Sequence, residues 1–228
     1  MKEIKNLVID DEDLKDFYDY KDIRGMKTYL YLADLLSFIT QREAINYKEV
    51  RSIIIYDKRI KNILYRYFAN IEDFLKALIF DHFIIINGKY IKNDVIDDFS
   101  VFEKFNIIKK NENKDGWSQI LFSLMKNEIV DHNVLVDLHT LKDFRNKVMH
   151  YNFILVESLK NNEFNFDWLD YNLDLFLSYL PEKYHKSFVT KINNAKLGLQ
   201  IQEEFVLNEL TYDDTFLLQD LEFKNKKK

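Results

Sequence analysis

From Ile60 onward, positions 60, 63, 64, 67, 68, 71, 74, 75 and 78 are Ile, Ile, Leu, Tyr, Phe, Ile, Phe, Leu and Leu, so every position on one helical face is apolar. The pattern predicts a long helix from near Asp57 to about His82, suited to the spine of a helical bundle. Before it, "MKTYLYLADLLSFI" repeats apolar residues at the same spacing and predicts another helix. Residues 1 to 22, acidic and rich in tyrosine, hold no sustained period, and an irregular arm or a short helix is expected there. After the long helix, "IINGKYIKND" predicts a turn, and shorter helices are expected at about 97 to 109 and 116 to 129, separated by the polar "KKNENKDG". A helix from about Asn133 to Tyr151 follows, then candidates near 152 to 161, 166 to 180, 182 to 196 and 202 to 210. Pro181, the sole proline, stands where a helix is expected to begin. The chain carries no internal repeat.

Composition narrows the fold further. With 4 Gly and 1 Pro in 228 residues, the chain is poor in the residues that tight hairpins demand, so an all-α fold is expected. Hydrophobic residues at 47% supply the core. The pattern divides the chain into an N-terminal arm (1–22), a helical core (23–165) and a C-terminal helical extension packed on that core (166–228). With no Cys there is neither a disulfide framework nor a thiolate metal site, and the five histidines show no HExxH or comparable ligand spacing. No metal and no cofactor are expected. The longest apolar stretch, "KALIFDHFIIING", is broken by Asp81 and His82 and falls short of the roughly 20 residues that span a bilayer. The opening "MKEIKNLVIDDEDL" turns acidic where a signal peptide would be apolar, so a soluble, cytoplasmic protein with no membrane partner is expected. A formal net charge of −5 argues against indiscriminate binding to nucleic acid. Local basic clusters remain: Arg51, Lys58, Arg59, Lys61 and Arg66 on the long helix, and the terminal "KNKKK". Taken alone, these read as a solvated helix face and a frayed tail.

The helix that ends in "DFRNKVMHYN" carries the candidate chemistry. Val134, Leu138, Leu141, Phe144, Val148 and Met149 fall on one broad face, while His139, Asp143, Asn146 and His150 form a polar stripe opposite. Arg145 lies about 140° around the helix from His150, among the apolar positions. A guanidinium is costly there unless it is paired or its stem carries the charge to a polar site. Such a local conflict is expected of a functional position, and Glu72 on the long helix is a candidate orienting carboxylate. A free histidine titrates at about pH 6.5 and can move protons near neutrality, while arginine can stabilise negative charge developing on a phosphate. The combination suits attack by a ribose 2′-OH on the adjacent phosphodiester, with His150 in proton transfer, Arg145 on the phosphate and Asn146 orienting one of them. One pair is a poor active site. Two copies across a two-fold axis would supply both an acid and a base. The bland readings are that His150, near a helix C-terminus, favours the helix dipole as a cation, or that the stripe is merely a solvated face. Lys147, Lys58 and Arg59 are the candidate RNA-binding cations.

The segment "LHTLKDFRNKVMHYN" resembles the R-x4-H signature of the HEPN superfamily, in which a polar residue, often Asn, follows the Arg. Upstream, "IIYDKRIKNILYRYFANIEDFLKALI" is similar to the corresponding region of Abi-type abortive-infection proteins (the AbiD/AbiF group), and "IRGMKTYLYLADLLSFI" is more loosely so. The resemblance covers roughly residues 20 to 155 and not the C-terminal third. It implies a HEPN-like helical bundle, to which the pattern adds the C-terminal helices, and a metal-independent endoribonuclease with a composite site in a homodimer. It also implies a role in phage defence or as a toxin restrained by a protein or small-RNA antitoxin. Carried onto this chain, its catalytic Arg and His are Arg145 and His150, with Asn146 as the intervening polar residue. The alternative is a non-catalytic HEPN-like module that binds a regulatory RNA or protein partner.

Overall fold

The computed structural model describes residues 1–87, 116–126, 128–150, 153–157 and 165–212. The expected turn after the long helix, the expected helix at 97 to 109 and the basic terminal tail lie outside them. The described residues are mainly helical: α1 (Leu14–Arg24), α2 (Met26–Thr40), α3 (Tyr47–Asn87), α4 (Gly116–Lys126), α5 (His132–Met149), α6 (Ile154–Glu157), α7 (Asp167–Tyr179) and α8 (His185–Asn193). Among them no helix is long and apolar enough to cross a membrane. The expected all-α class holds, with a small addition. Strands β1 (Lys2–Ile4) and β2 (Leu7–Ile9) form an antiparallel hairpin, and β3 (Ile45–Asn46) joins β2 in parallel. Strands of two or three residues are too short for alternation to register in a sequence, which is why the arm gave no sign of them.

The chain forms two compact units, each drawn from separate stretches. The first comprises Met1–Ile63, Tyr151–Tyr171 and Ser187–Thr211. Gly25, at φ 81, separates α1 from α2 in a conformation that a side chain would strain. Phe17, Tyr29 and Tyr47 pack edge to face or tilted, with centroids 5.4 to 5.9 Å apart. The α3 helix begins ten residues before the expected Asp57. Asn46 Oδ1 accepts the Lys48 N–H at 2.8 Å, the bond of an N-cap, and supplies the start signal. Asp57 is instead buried in mid-helix, paired at 2.5 Å with Lys61 and accepting the Leu155 N–H of α6 at 3.2 Å. Residues 202 to 210 do not form the expected helix; only Glu203–Phe205 make a 3-10 turn. Their backbone is bonded elsewhere. Tyr56 accepts the Leu207 N–H at 3.3 Å and Asn193 bonds both the N–H and the carbonyl of Leu210. The same face of α3 holds the preceding stretch, with Ser52 accepting the Gln200 N–H at 3.1 Å.

The second unit comprises Leu64–His150, Asn172–Lys186 and Tyr212–Lys228. Its core is organised on Phe68 of α3, whose ring meets Phe176 of α7 at 4.7 Å, Phe144 of α5 at 5.8 Å and Trp117 of α4 at 6.1 Å, all edge to face. Three helices thus meet one side chain of the spine. The apolar row expected from the sequence lies inward: Ile60, Leu64, Tyr67, Phe68, Ile71, Leu75 and Leu78 are buried and Ile63 and Phe74 half-buried.

Candidate active site

The α5 helix is started by Asp131, whose Oδ1 accepts the Val134 N–H at 3.0 Å, and it ends at Met149 with His150 as its C-cap. Leu138, Leu141, Phe144 and Val148 are buried and fix its rotation. The polar stripe accordingly faces out: His139, Asp143 and His150 are exposed and Asn146 half-buried. The His150 N–H bonds to the Asn146 carbonyl at 2.9 Å. Among the described residues its ring has no hydrogen-bond partner.

Arg145 follows Phe144 and is thereby drawn to the aromatic core. Its guanidinium lies 5.8 Å from the Trp117 ring centroid, and its Nη2 is 3.8 Å from Glu72 Oε2. Glu72 is four residues beyond Phe68 on α3, so the side chain that collects the core also sets the row on which the carboxylate stands. The charge of Arg145, placed on the apolar side of its helix, is thus met by Glu72, the candidate carboxylate on the long helix. Lys76 Nζ donates to Glu72 Oε1 at 2.7 Å and the buried Trp117 indole N–H to Oε2 at 2.9 Å. Arg145 Nη1 is 3.4 Å from Asn146 Oδ1, a long contact, and its Nε is buried without a partner.

The structure therefore brings Arg145 and Asn146 together and seats His150 on the next turn of the same helix, open to solvent. Lys147 is half-buried beside them. Lys58 and Arg59 belong to the first unit. Lys58 is exposed, whereas Arg59 donates from Nη1 to the carbonyls of Ala195 and Leu197 at 2.9 and 2.8 Å. Two members of the Arg145 surroundings were missed in the sequence. Lys76 had a local signal, being four residues from Glu72; Trp117, 45 residues from Glu72, had none.

Elsewhere, carboxylate oxygens of Asp10, Glu12 and Asp13 lie within 4.8 Å of one another, the spacing of a candidate cation site. Lys48 pairs with Glu12 and Asp13, and Asn46 donates to Asp10 at 3.0 Å, so the cluster is compensated by side chains of this chain. Compared with protein-family models, with curated proteins and with solved structures, the chain matches none.

Proposed function

We propose that this protein is a metal-independent endoribonuclease of the HEPN type, acting in phage defence or as a toxin, with a site composed from two copies of the chain. The observation that carries the reading is the seating of Arg145: a half-buried guanidinium held beside Glu72 and Trp117, with Asn146 next to it and an exposed His150 on the following turn. A metal-free phosphodiester cleavage needs a fixed cation for the phosphoryl oxygens and a proton carrier open to substrate. In the proposed reaction, the ribose 2′-OH attacks the adjacent phosphorus while its proton passes to a neutral His150 ring. The Arg145 guanidinium binds the non-bridging oxygens as charge gathers on them, and Asn146 orients the guanidinium or the phosphate. The 5′-oxygen leaves with a proton from the protonated His150 of the second copy. The products are a 2′,3′-cyclic phosphate and a 5′-OH, and the two histidines exchange roles to restore the starting state. RNA is the substrate, and an antitoxin of protein or RNA restrains the enzyme in the cytoplasm.

A second reading, a non-catalytic module for a regulatory RNA or protein, is favoured by the Arg145–Glu72 pair itself, which ties α5 to α3 whether or not chemistry follows. Induction in bacteria separates the two. Under the nuclease reading, wild type arrests growth and creates new 5′-OH ends in total RNA, and both effects vanish in His150→Ala. Under the second reading His150→Ala is silent, and charge reversal at the exposed Lys58 abolishes partner binding.

A further inference from the structure

An arginine that is to bind phosphate needs its planar fork open, and a carboxylate beside it threatens to close that fork in a bidentate pair. The chain shows what closure looks like. Arg42 donates from Nη1 and Nη2 to the two oxygens of Glu49 at 3.0 and 2.7 Å. Around Arg145 the same two residue types meet differently, with one Nη at 3.8 Å from one oxygen. The difference lies in the other partners of Glu72. Lys76 takes Oε1 at 2.7 Å and the Trp117 indole N–H takes Oε2 at 2.9 Å, so both oxygens already accept a closer donor. Each oxygen keeps a lone pair, but the two close donors fix the direction in which the carboxylate faces, so Glu72 attracts the guanidinium without meeting it edge to edge.

Trp117 is built for that task. It is fully buried, its ring packs edge to face with Phe68, and the Arg145 guanidinium lies over it at 5.8 Å from the centroid. Its N–H therefore cannot swing away from Glu72 without disturbing the core. Lys76 and Arg145 together outweigh Glu72 by one positive charge, which favours an anion over a neutral ligand. Arg145 Nε, buried and unbonded, leaves the guanidinium unsaturated, and an unmade buried donor is a cost that an incoming oxygen relieves when the side chain shifts onto it.

We propose that Trp117 and Lys76 occupy the Glu72 carboxylate and so hold Arg145 open as a phosphate-binding fork, Trp117 as a positioning residue. The inference rests on Arg145 being the phosphate ligand of the proposed nuclease. Inorganic phosphate titrated into the full chain tests it, with the Arg145 Nε–H resonance followed by NMR. Wild type binds. Trp117→Phe keeps a ring against Phe68 and loses the N–H, which frees Oε2 to close on Arg145; phosphate affinity falls about tenfold, as expected for a lost charge-assisted bond. Trp117→Phe/Glu72→Gln recovers it, because an amide cannot chelate the guanidinium as a carboxylate does. A purely structural role for Trp117 gives no such recovery. Lys76→Met, at a part-exposed position, gives the same loss and the same recovery with Glu72→Gln, and it carries the test if Trp117→Phe does not fold. Phosphate without effect on Arg145 in wild type, undiminished affinity in a folded single variant, or loss without recovery in the double variant overturns the proposal. A chain that binds phosphate in this Trp117-dependent way and cleaves no RNA sinks the nuclease reading alone. Cleavage with phosphate affinity indifferent to Trp117 sinks the positioning role alone.

Discussion

Arg145 and Tyr56 are two polar groups set into apolar surroundings, and each is stabilised there by contacts far away in sequence. For Arg145, the mismatch with its helix face was legible in the sequence, because period and residue type disagree. The identity of Glu72 as its partner could be anticipated only as one carboxylate on a neighbouring spine. The indole N–H that completes the arrangement could not, since no local rule links residues 72 and 117. Tyr56 is buried with its hydroxyl accepting from the Leu207 backbone, and burial pushes its phenol up to about 12. Burial likewise raises Tyr29, and burial followed by the hydrogen bond to Asp16 raises Tyr47. A phenol whose folded pKa lies above its unfolded value of about 10 contributes stability that is whole below that pH and is lost as pH rises through the folded value. For Tyr56 that window runs from about pH 10 to about pH 12, and the loss is on the order of 3 kcal/mol. Urea-unfolding midpoints across the window should therefore fall more steeply for wild type than for Tyr56→Phe. Parallel curves would show that Tyr56 ionises as readily folded as unfolded.

The long helix shows why elements are easier to foresee than their ends. Its apolar row is clear in the sequence, but the start signal expected at Asp57, a residue type that often starts helices, is supplied by Asn46. Asp57 is held in mid-helix by Lys61 and by α6, whose Leu155 N–H it accepts. Burial raises its carboxyl above the usual range even though Lys61 and the α6 backbone pull it down. One charge of a buried pair cannot be removed cheaply. Asp57→Ala takes the buried carboxylate away from Lys61 and leaves the Leu155 N–H of α6 without that acceptor, and the expected loss is about 3 kcal/mol in chemical denaturation, against well under 1 kcal/mol for a surface alanine substitution. A loss as small as a surface change would mean that Lys61 is held as well without the Asp57 carboxylate as with it. The short strands and the stretch at 202 to 210 were not legible for a related reason. Both are fixed by backbone bonds to other parts of the chain, so their own residues carry little of the signal.

At the scale of the whole molecule, compact units are assembled from separated stretches, so no single window of sequence could outline them. The candidate site is different, because most of it lies within six residues of one helix, Arg145 to His150, and that part was legible. One chain holds a seated guanidinium and an exposed histidine; the proposed chemistry needs two proton carriers and therefore calls on a second copy. The account predicts that purified wild-type protein, with a metal chelator present, cuts RNA to leave 2′,3′-cyclic phosphate and 5′-OH ends. It also predicts that folded Arg145→Ala and His150→Ala each lose at least about a hundredfold in rate, the scale of a missing acid–base or charge-stabilising group. Cleavage at the wild-type rate by either variant, or ends of the opposite chemistry, would contradict it.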